Sequence, residues 1–193
     1  MRIFRNFDTL PAFRHATATV GSFDGVHLGH RALLDRLTAE AQAAGGESVV
    51  LTFEPHPRIA LGHAADLQLL TPLDRKIELL SGAGIDNLIV IPFDRAFSAL
   101  SGREFIERYI CGAVGAATMI VGYNHRFGHD RIGAAEIEAL GLVRVVRVGE
   151  YRVAGQTVSS TVIRRLLAEN RVAEAERLLG HELTNSQSIM HNS

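Results

Sequence analysis

The chain has 193 residues, a formal net charge of −1 at pH 7 and 47% hydrophobic residues, which suits one domain with a sizeable buried core. The near-zero charge argues against a broad nucleic-acid-binding surface, and the apolar runs are far shorter than the roughly 20 residues that cross a bilayer. The N-terminus lacks the hydrophobic stretch of a secretory signal. We therefore expect a soluble, cytoplasmic protein that binds neither nucleic acid nor membrane.

Two residue types constrain the chemistry further. Nineteen of the 20 basic residues are arginine and Lys76 is the single lysine, so phosphate contacts must come mainly from arginine, histidine and backbone amides. A genomic composition bias explains the arginine content equally well. Cys111 is the single cysteine and lies among apolar residues at helical spacing, so we expect a buried structural thiol and no internal disulfide.

Short apolar runs alternate with helical periodicities, and this pattern predicts an α/β fold with a parallel sheet covered by helices on both faces. Strands are predicted over 16–20, 48–53, 87–91, 118–121 and 142–148, with a ribbon through 151–158. Helices are predicted from near Val26 to Ala44, from a Thr71 cap, from a Ser101/Glu104 capping box, and over 134–140, 161–169 and 172–179. We expect one domain over 1–184 and a disordered polar tail over 185–193.

The stretch GSFDGVHLGH follows the first predicted strand and opens the first predicted helix. His27 and His30 are three residues apart, so they share one face of the first helical turn. Free amides and the helix dipole already favour an anion there, and two imidazoles add donors aimed at a phosphate chain. The alternative is that either histidine is an ordinary solvated or capping residue.

The stretch SSTVIRRLL places hydroxyl groups before an amphipathic helix, with Arg164 or Arg165 one turn in. By itself this is a common N-cap. Beside the two histidines it predicts a second clamp for the same polyphosphate, made of hydroxyls and arginine.

Two loops follow other predicted strands. In GYNHRFGH, Asn124 offers donors and acceptors and Phe127 offers a stacking face, and open parallel sheets bind ligands at this edge. In TFEPHP, two prolines restrict a loop on which a phosphate, ring or hydroxyl could rest. Both loops could equally be structural turns, and a metal site would require His56, His125 and His129 to converge.

The stretches GSFDGVHLGH, TFEPHP, LLTPLDRKIELL, VGYNHRFGHDRIG and SSTVIRRLL, in this order, resemble the FAD synthetase (FMN adenylyltransferase) module of bacterial bifunctional riboflavin kinase/FAD synthetases. The HxGH element alone indicates only the nucleotidyltransferase superfamily, whereas the combination is much more specific. The resemblance implies a Rossmann-like domain that transfers AMP from ATP to FMN, giving FAD and pyrophosphate with Mg²⁺. ATP and FMN would be its small-molecule substrates.

The resemblance also implies roles by position. The two histidines would contact the ATP phosphates, the serine-rich motif would be the second phosphate-binding motif, and TFEPHP would border the flavin. Asn124 stands where the family carries Asp or Asn, and the family varies at the position of Arg126. The expected catalytic residues are His27, His30, Ser160 and Arg164; the expected substrate-binding residues are Gly21, Phe23, Asp24, Gly29, Pro55, His56, Gly122, Asn124, Arg126, Phe127, Ser159 and Thr161.

The sequence departs from the bifunctional pattern after Gly180, where the kinase domain follows in those enzymes. We expect no riboflavin kinase domain in this chain, and a separate riboflavin kinase would then supply FMN. The alternatives are another HxGH adenylyl- or cytidylyltransferase with a different phosphate acceptor, or a flavin- or nucleotide-binding protein without turnover.

Overall fold

The structure is a computed structural model that describes residues 1–62 and 67–183, so the predicted tail lies outside the described residues. The strands are β1 (Arg2–Phe4), β2 (Thr17–Val20), β3 (Ser48–Glu54), β4 (Asn87–Pro92), β5 (Thr118–Gly122), β6 (Arg144–Val148), β7 (Arg152–Val153) and β8 (Gln156–Thr157). The helices are α1 (Leu28–Ala43), α2 (Pro57–Ala60), α3 (Leu73–Ser81), α4 (Arg95–Ser98), α5 (Gly102–Phe105), α6 (Ala134–Leu140), α7 (Ser160–Ala168) and α8 (Val172–Leu179), with a π-helix over Ile106–Ala113.

Six strands form one sheet in the order β1-β4-β3-β2-β5-β6, and every pairing between them is parallel. From the central β2 the chain first builds β3 and β4 on one side, and later β5 and β6 on the other. The strand order therefore reverses beside β2. In open parallel sheets, the crevice beyond the carboxyl ends of the strands at such a point is where ligands bind.

The core lies on both faces of this sheet, which confirms the predicted Rossmann-like α/β fold. One cluster packs the π-helix and α6 against Ala18, Val49 and Met119, and the other packs α1 and α3 against Val50 and Ile120. A smaller cluster joins α7 to α8. Alternating residues of the same strands thus face opposite layers, as the pleat of a doubly covered sheet requires.

The first helix begins later than the sequence predicts. Val26 has φ 37°, in the left-handed region, so it cannot belong to the helix, and His27 is the N-cap of α1. The backbone turns sharply here because Phe23 (φ 46°) and Gly25 (φ 88°) are also left-handed. This strained loop brings His27 to the end of β2.

Thr71 is not the cap of α3, contrary to expectation. Its hydroxyl oxygen instead accepts a hydrogen bond from the Gly25 amide at 2.9 Å, and the N-cap position falls to Pro72 without a side-chain cap. The Ser101/Glu104 capping box is confirmed. Cys111 lies in the π-helix and is only partly buried, because that face of the helix is not fully covered.

Three short elements were not predicted from the sequence: β1, α2 and α4. Each has three or four residues, too few to show a hydrophobic period. Within 1–62 and 67–183, no helix has both the length and the apolar character required of a membrane span.

Candidate active site

A cavity of about 430 Å³ opens at the carboxyl edge of the sheet, beside β2 where the strand order reverses. The ends of β2, β3, β5 and β6 and the start of α7 contribute to its wall. It is lined by Val20, Gly21, Ser22, Phe23, His27, Gly29, His30, Leu33, Phe53, His56, Pro57, Gly122, Tyr123, Asn124, His125, Arg126, Phe127, Val148, Gly149, Tyr151, Val158, Ser159, Ser160 and Thr161.

Thirteen of the sixteen expected site residues line this one cavity, including both histidines and all three hydroxyl residues of the second motif. Asp24, Pro55 and Arg164 do not line it. Asp24 is buried and pairs with Arg164, whereas Pro55 is exposed beside His56, which does reach the cavity.

His27 caps α1 with its side chain. Its Nδ1 atom accepts a hydrogen bond from the backbone amide of His30 at 3.2 Å. A neutral imidazole that accepts at Nδ1 carries its proton on Nε2, so His27 offers an Nε2–H donor. Burial lowers the pKa of His27 from 6.5 to about 4, which keeps this donor neutral at pH 7.

His30 stacks on His27, with ring centroids 3.6 Å apart and planes 10° from parallel. Its Nδ1 atom is shut off from solvent and has no hydrogen-bond partner among the described residues. Burial is the main cause that lowers the pKa of His30 well below its ordinary value, and the neighbouring His27 adds to it. Two neutral rings therefore stand together at the first turn of α1.

The start of α7 forms the opposite wall. Ser159 is its N-cap and accepts from the Val162 amide at 3.3 Å, and Ser159, Ser160 and Thr161 all line the cavity. Gly29 brings this wall close to α1, because a Cβ atom at Gly29 would lie 3.3 Å from the Val158 carbonyl oxygen. The two helix starts thus face one space.

Asp24 binds two polar side chains of α7. The Ser160 hydroxyl donates to the Asp24 carbonyl at 2.9 Å, and the Arg164 guanidinium forms an ion pair with the Asp24 carboxylate. Arg164 also donates from Nε to the Gln68 carbonyl at 2.9 Å. Because both groups have protein partners, the phosphate contact expected of each stays a prediction.

The loop after β5 forms a third wall, with Asn124 and Arg126 exposed and Phe127 partly buried. Arg126 pairs with Glu136 at 3.4 Å on the surface. His125 packs its ring against Phe127, with centroids 5.3 Å apart, and burial lowers its pKa to about 4. Its Nε2 atom lacks a hydrogen-bond partner within the described part of the chain.

His56 also lines the cavity and caps a helix in the same way as His27. It is the N-cap of α2, and its Nδ1 atom accepts from the Arg58 amide at 3.2 Å. Neutral His56 therefore also carries its proton on Nε2. Burial is again the main cause that lowers its pKa.

Metal ligands do not gather at this site. Over the described residues, no group of three or more His, Cys, Asp or Glu side chains could hold an ion. His56 and His125 line the cavity but His129 does not, so the convergence that a histidine metal site requires is not found.

Sequence reasoning missed several wall residues, chiefly Phe53, Tyr123, Val148 and Tyr151. All four lie at or just after the carboxyl end of a sheet strand. That position was the available signal, because every parallel strand delivers its next residues to the same edge.

The chain is similar in sequence to a known protein family. The sequence model of the FAD synthetase family matches residues 10–162. A protein named bifunctional riboflavin kinase/FMN adenylyltransferase from Listeria monocytogenes is 34% identical over 176 residues, 89% of this chain and 56% of the relative. A relative of the same name from Pseudomonas fluorescens is 34% identical over 197 residues, 99% of this chain and 63% of the relative. The chain thus spans less than two thirds of these relatives.

Solved structures extend the comparison. A crystal structure described as a macrolide-efflux protein from Streptococcus pneumoniae matches with a TM-score of 0.82 and 26% identity, over 94% of this chain and 60% of that chain. A pantothenate synthetase from Thermus thermophilus shares the fold, with a TM-score of 0.56 and 19% identity over 93% of this chain and 81% of that chain. The family match, which covers most of the chain and both helix starts at the cavity, shows that the protein belongs to the FAD synthetase family.

Proposed function

We propose that this protein transfers the AMP part of ATP to FMN, giving FAD and pyrophosphate. The observation that carries the proposal is that the histidine-bearing start of α1 and the hydroxyl-bearing start of α7 line one cavity. Each helix start offers unpaired amides and a positive dipole end, which favour phosphate. A triphosphate held between them would be gripped from two sides. The names of the relatives, which include FMN adenylyltransferase, support the same assignment.

The reaction requires no covalent enzyme intermediate. A phosphate oxygen of FMN attacks the α-phosphorus of ATP in line, the bond from that phosphorus to the β-bridging oxygen breaks, and pyrophosphate leaves with the electron pair. The FMN phosphate is already ionised, so no general base is required. Such transfers depend on positioning and on stabilising the growing charge.

We assign the stabilisation of that growing charge to His27 and His30. The Nε2–H group of His27 is fixed as a donor by the capping bond at Nδ1, so it can donate to a phosphate oxygen without first losing or gaining a proton. A fixed donor loses little free energy to reorganisation when charge develops. Thr161 and the first amides of α7 would hold the phosphates from the other side.

The flavin would lie towards His56 and the loop after β5. Phe127 and Tyr123 provide aromatic faces on that wall, and Asn124 provides both donors and acceptors. Cytoplasmic location belongs to the same proposal, since the reaction consumes ATP. A riboflavin kinase activity would supply the FMN.

Mg²⁺ enters the proposal only as a counter-ion that arrives on the ATP phosphates. None of the described residues that line the cavity carries a carboxylate, and Mg²⁺ in proteins is commonly held by one or two carboxylates together with substrate phosphates and water. The side chains present therefore fit a metal carried by the nucleotide rather than a resident ion.

The test is pyrophosphate release from ATP, with FMN as the acceptor and riboflavin as the control. Formation of FAD with FMN, and no pyrophosphate with riboflavin, is the expected result. Pyrophosphate release with pantetheine phosphate or nicotinamide mononucleotide but not with FMN would instead support a different transferase. Binding of FMN and ATP without any product would support a binding protein.

A further inference from the structure

Asp24 and Gly25 form a junction between segments that are far apart in sequence. The Asp24 carboxylate accepts hydrogen bonds from the Leu70 amide at 2.9 Å and the Thr71 amide at 3.1 Å. Its other oxygen pairs with Arg164 of α7. The loop before α1 is thereby joined to the segment that enters α3 and to the second turn of α7.

Backbone atoms of the same dipeptide complete the junction. The Asp24 carbonyl accepts from the Ser160 hydroxyl at 2.9 Å, and the Gly25 amide donates to the Thr71 hydroxyl at 2.9 Å. The Gly25 carbonyl lies 2.8 Å from Nε2 of His181, beyond the end of α8. Two of these links, from Ser160 and from Arg164, run to α7 alone.

The burial of Asp24 makes these links strong constraints. The side chain is 2% exposed and that of Arg164 is 21% exposed. An ionised carboxylate so far from solvent is stable only while its partners stay in place. Asp24 is also three residues before His27, so a displacement of Asp24 moves the histidine that caps α1.

We infer that Asp24 is a positioning residue that sets the spacing between the start of α1 and the start of α7. It does not line the cavity, and it acts through Ser160 and Arg164. The inference rests on the proposed function, because this spacing affects turnover only if one nucleotide is held by both helix starts. It also gives Arg164 an indirect role through its pair with Asp24, as an alternative to the predicted contact with phosphate.

A double-mutant cycle tests the inference in the full chain. Asp24→Asn keeps an oxygen for the Leu70 and Thr71 amides but turns its amide donors towards the donors of Arg164, so it breaks the link to Arg164 and leaves the Ser160 link, which ends on the main-chain carbonyl. Arg164→Met removes the same link from the other side. We expect each substitution to lower kcat about 30-fold, as a misplacement of under 1 Å would, with a much smaller change in KM for ATP.

The double variant, Asp24→Asn with Arg164→Met, is the sharpest readout. A single link can be broken only once, and Arg164→Met also loses the contact with the Gln68 carbonyl, so we expect the kcat of the double variant to match that of Arg164→Met rather than show multiplied losses. Arg164→Lys keeps the positive charge near Asp24 and should recover most of kcat. Multiplied losses, or an Arg164→Met defect confined to KM for ATP, would overturn the inference and support direct phosphate binding by Arg164.

A matched control is the Glu40–Arg144 pair, which also joins α1 to a distant strand but lies away from the cavity. Glu40→Gln should leave kcat unchanged. If Asp24→Asn does not fold, Ser160→Ala removes the hydroxyl link instead; because Ser160 also lines the cavity, the positioning role predicts a several-fold loss of kcat with little change in KM for ATP and an unchanged circular dichroism spectrum. Wild-type kcat in folded Asp24→Asn or in Ser160→Ala would refute the positioning role.

If the proposed function is wrong, the wild-type protein will form no FAD from ATP and FMN, and this result is distinct from a failure of the positioning role. Hydrogen exchange with a non-hydrolysable ATP analogue then still tests the spacing. In the wild type we expect the amides of Leu28–Arg31 and of Thr161–Arg164 to be protected together, and in Asp24→Asn only one of the two sets. Joint protection in both proteins would count against the inference.

Discussion

The His27 ring caps α1 and also offers a hydrogen-bond donor to the cavity. Suitable replacements of His27 can therefore separate its contribution to stability from its contribution to turnover. The loss of one fixed donor to a developing charge costs roughly 100- to 1,000-fold in kcat, or about 2.7–4 kcal/mol. The loss of an N-cap costs about 1 kcal/mol of stability. In a chain of this length that lowers Tm by about 2–4 °C.

Two variants divide these effects. His27→Ala loses the donor and the cap, whereas His27→Ser is too short to reach a phosphate but remains a good N-cap. We expect the same large loss of kcat in both, and a smaller loss of Tm in His27→Ser. Pyrophosphate release measures kcat, flavin fluorescence quenching measures FMN binding, and calorimetry measures Tm.

FMN binding is the decisive comparison in this series. His27 faces the nucleotide phosphates in our account, so FMN affinity should change by less than about threefold while kcat collapses. Equal losses in kcat and in FMN affinity would refute the role that we assign to His27, and so would near-wild-type turnover in both variants.

Three further predictions follow from the same geometry. His125→Phe removes a buried Nε2 that lacks a partner among the described residues. The pKa of His125 is about 4 in the folded protein against 6.5 in the unfolded chain, so the stability that depends on neutral His125 is complete above pH 6.5 and is lost as pH falls towards 4. Relative to the wild type, the free energy of unfolding of the variant in urea should therefore rise by about 2 kcal/mol more at pH 5 than at pH 8, and equal rises at the two pH values would contradict this. Gly29→Ala places a Cβ atom 3.2 Å from the His27 ring and 3.3 Å from the Val158 carbonyl oxygen, so it should lower kcat about tenfold by displacing His27 and the start of α7, while Gly82→Ala, whose nearest contact is 3.6 Å, should not. Because the pKa of His27 is about 4 in the free protein, the pH profile of kcat/KM for ATP between pH 5.5 and 8 should have the same shape in the wild type and in His27→Ala, since any inflection there comes from the substrate phosphates; an inflection near pH 6.5 that disappears in His27→Ala would contradict a neutral donor.

Elements with strong local signals could be predicted closely from the sequence. The bounds of α6 and α8 match the predicted 134–140 and 172–179, since apolar periodicity and a glycine in the left-handed region at each C-terminus determine them. The gathering of GSFDGVHLGH, TFEPHP and GYNHRFGH at one cavity was also predictable, because each follows a parallel strand and such strands end at one edge of the sheet.

Long-range polar contacts were not predictable in the same way. The sequence places Asp24 in the loop before α1, but its partners Ser160 and Arg164 are 136 and 140 residues away. Thr71 looked like a helix cap because its local pattern fits one, yet its hydroxyl is bound to Gly25. Local patterns cannot show which of several possible partners a hydroxyl or carboxylate will meet in the folded protein.

The central claim is that the two helix starts hold one ATP between them, and a crystal structure with FMN and a non-hydrolysable ATP analogue tests it most directly. We predict phosphate oxygens within hydrogen-bond distance of His27 Nε2 and, on the same nucleotide, of the Thr161 hydroxyl or the first amides of α7. A nucleotide bound to only one helix start, with the other facing solvent or flavin alone, would contradict the account.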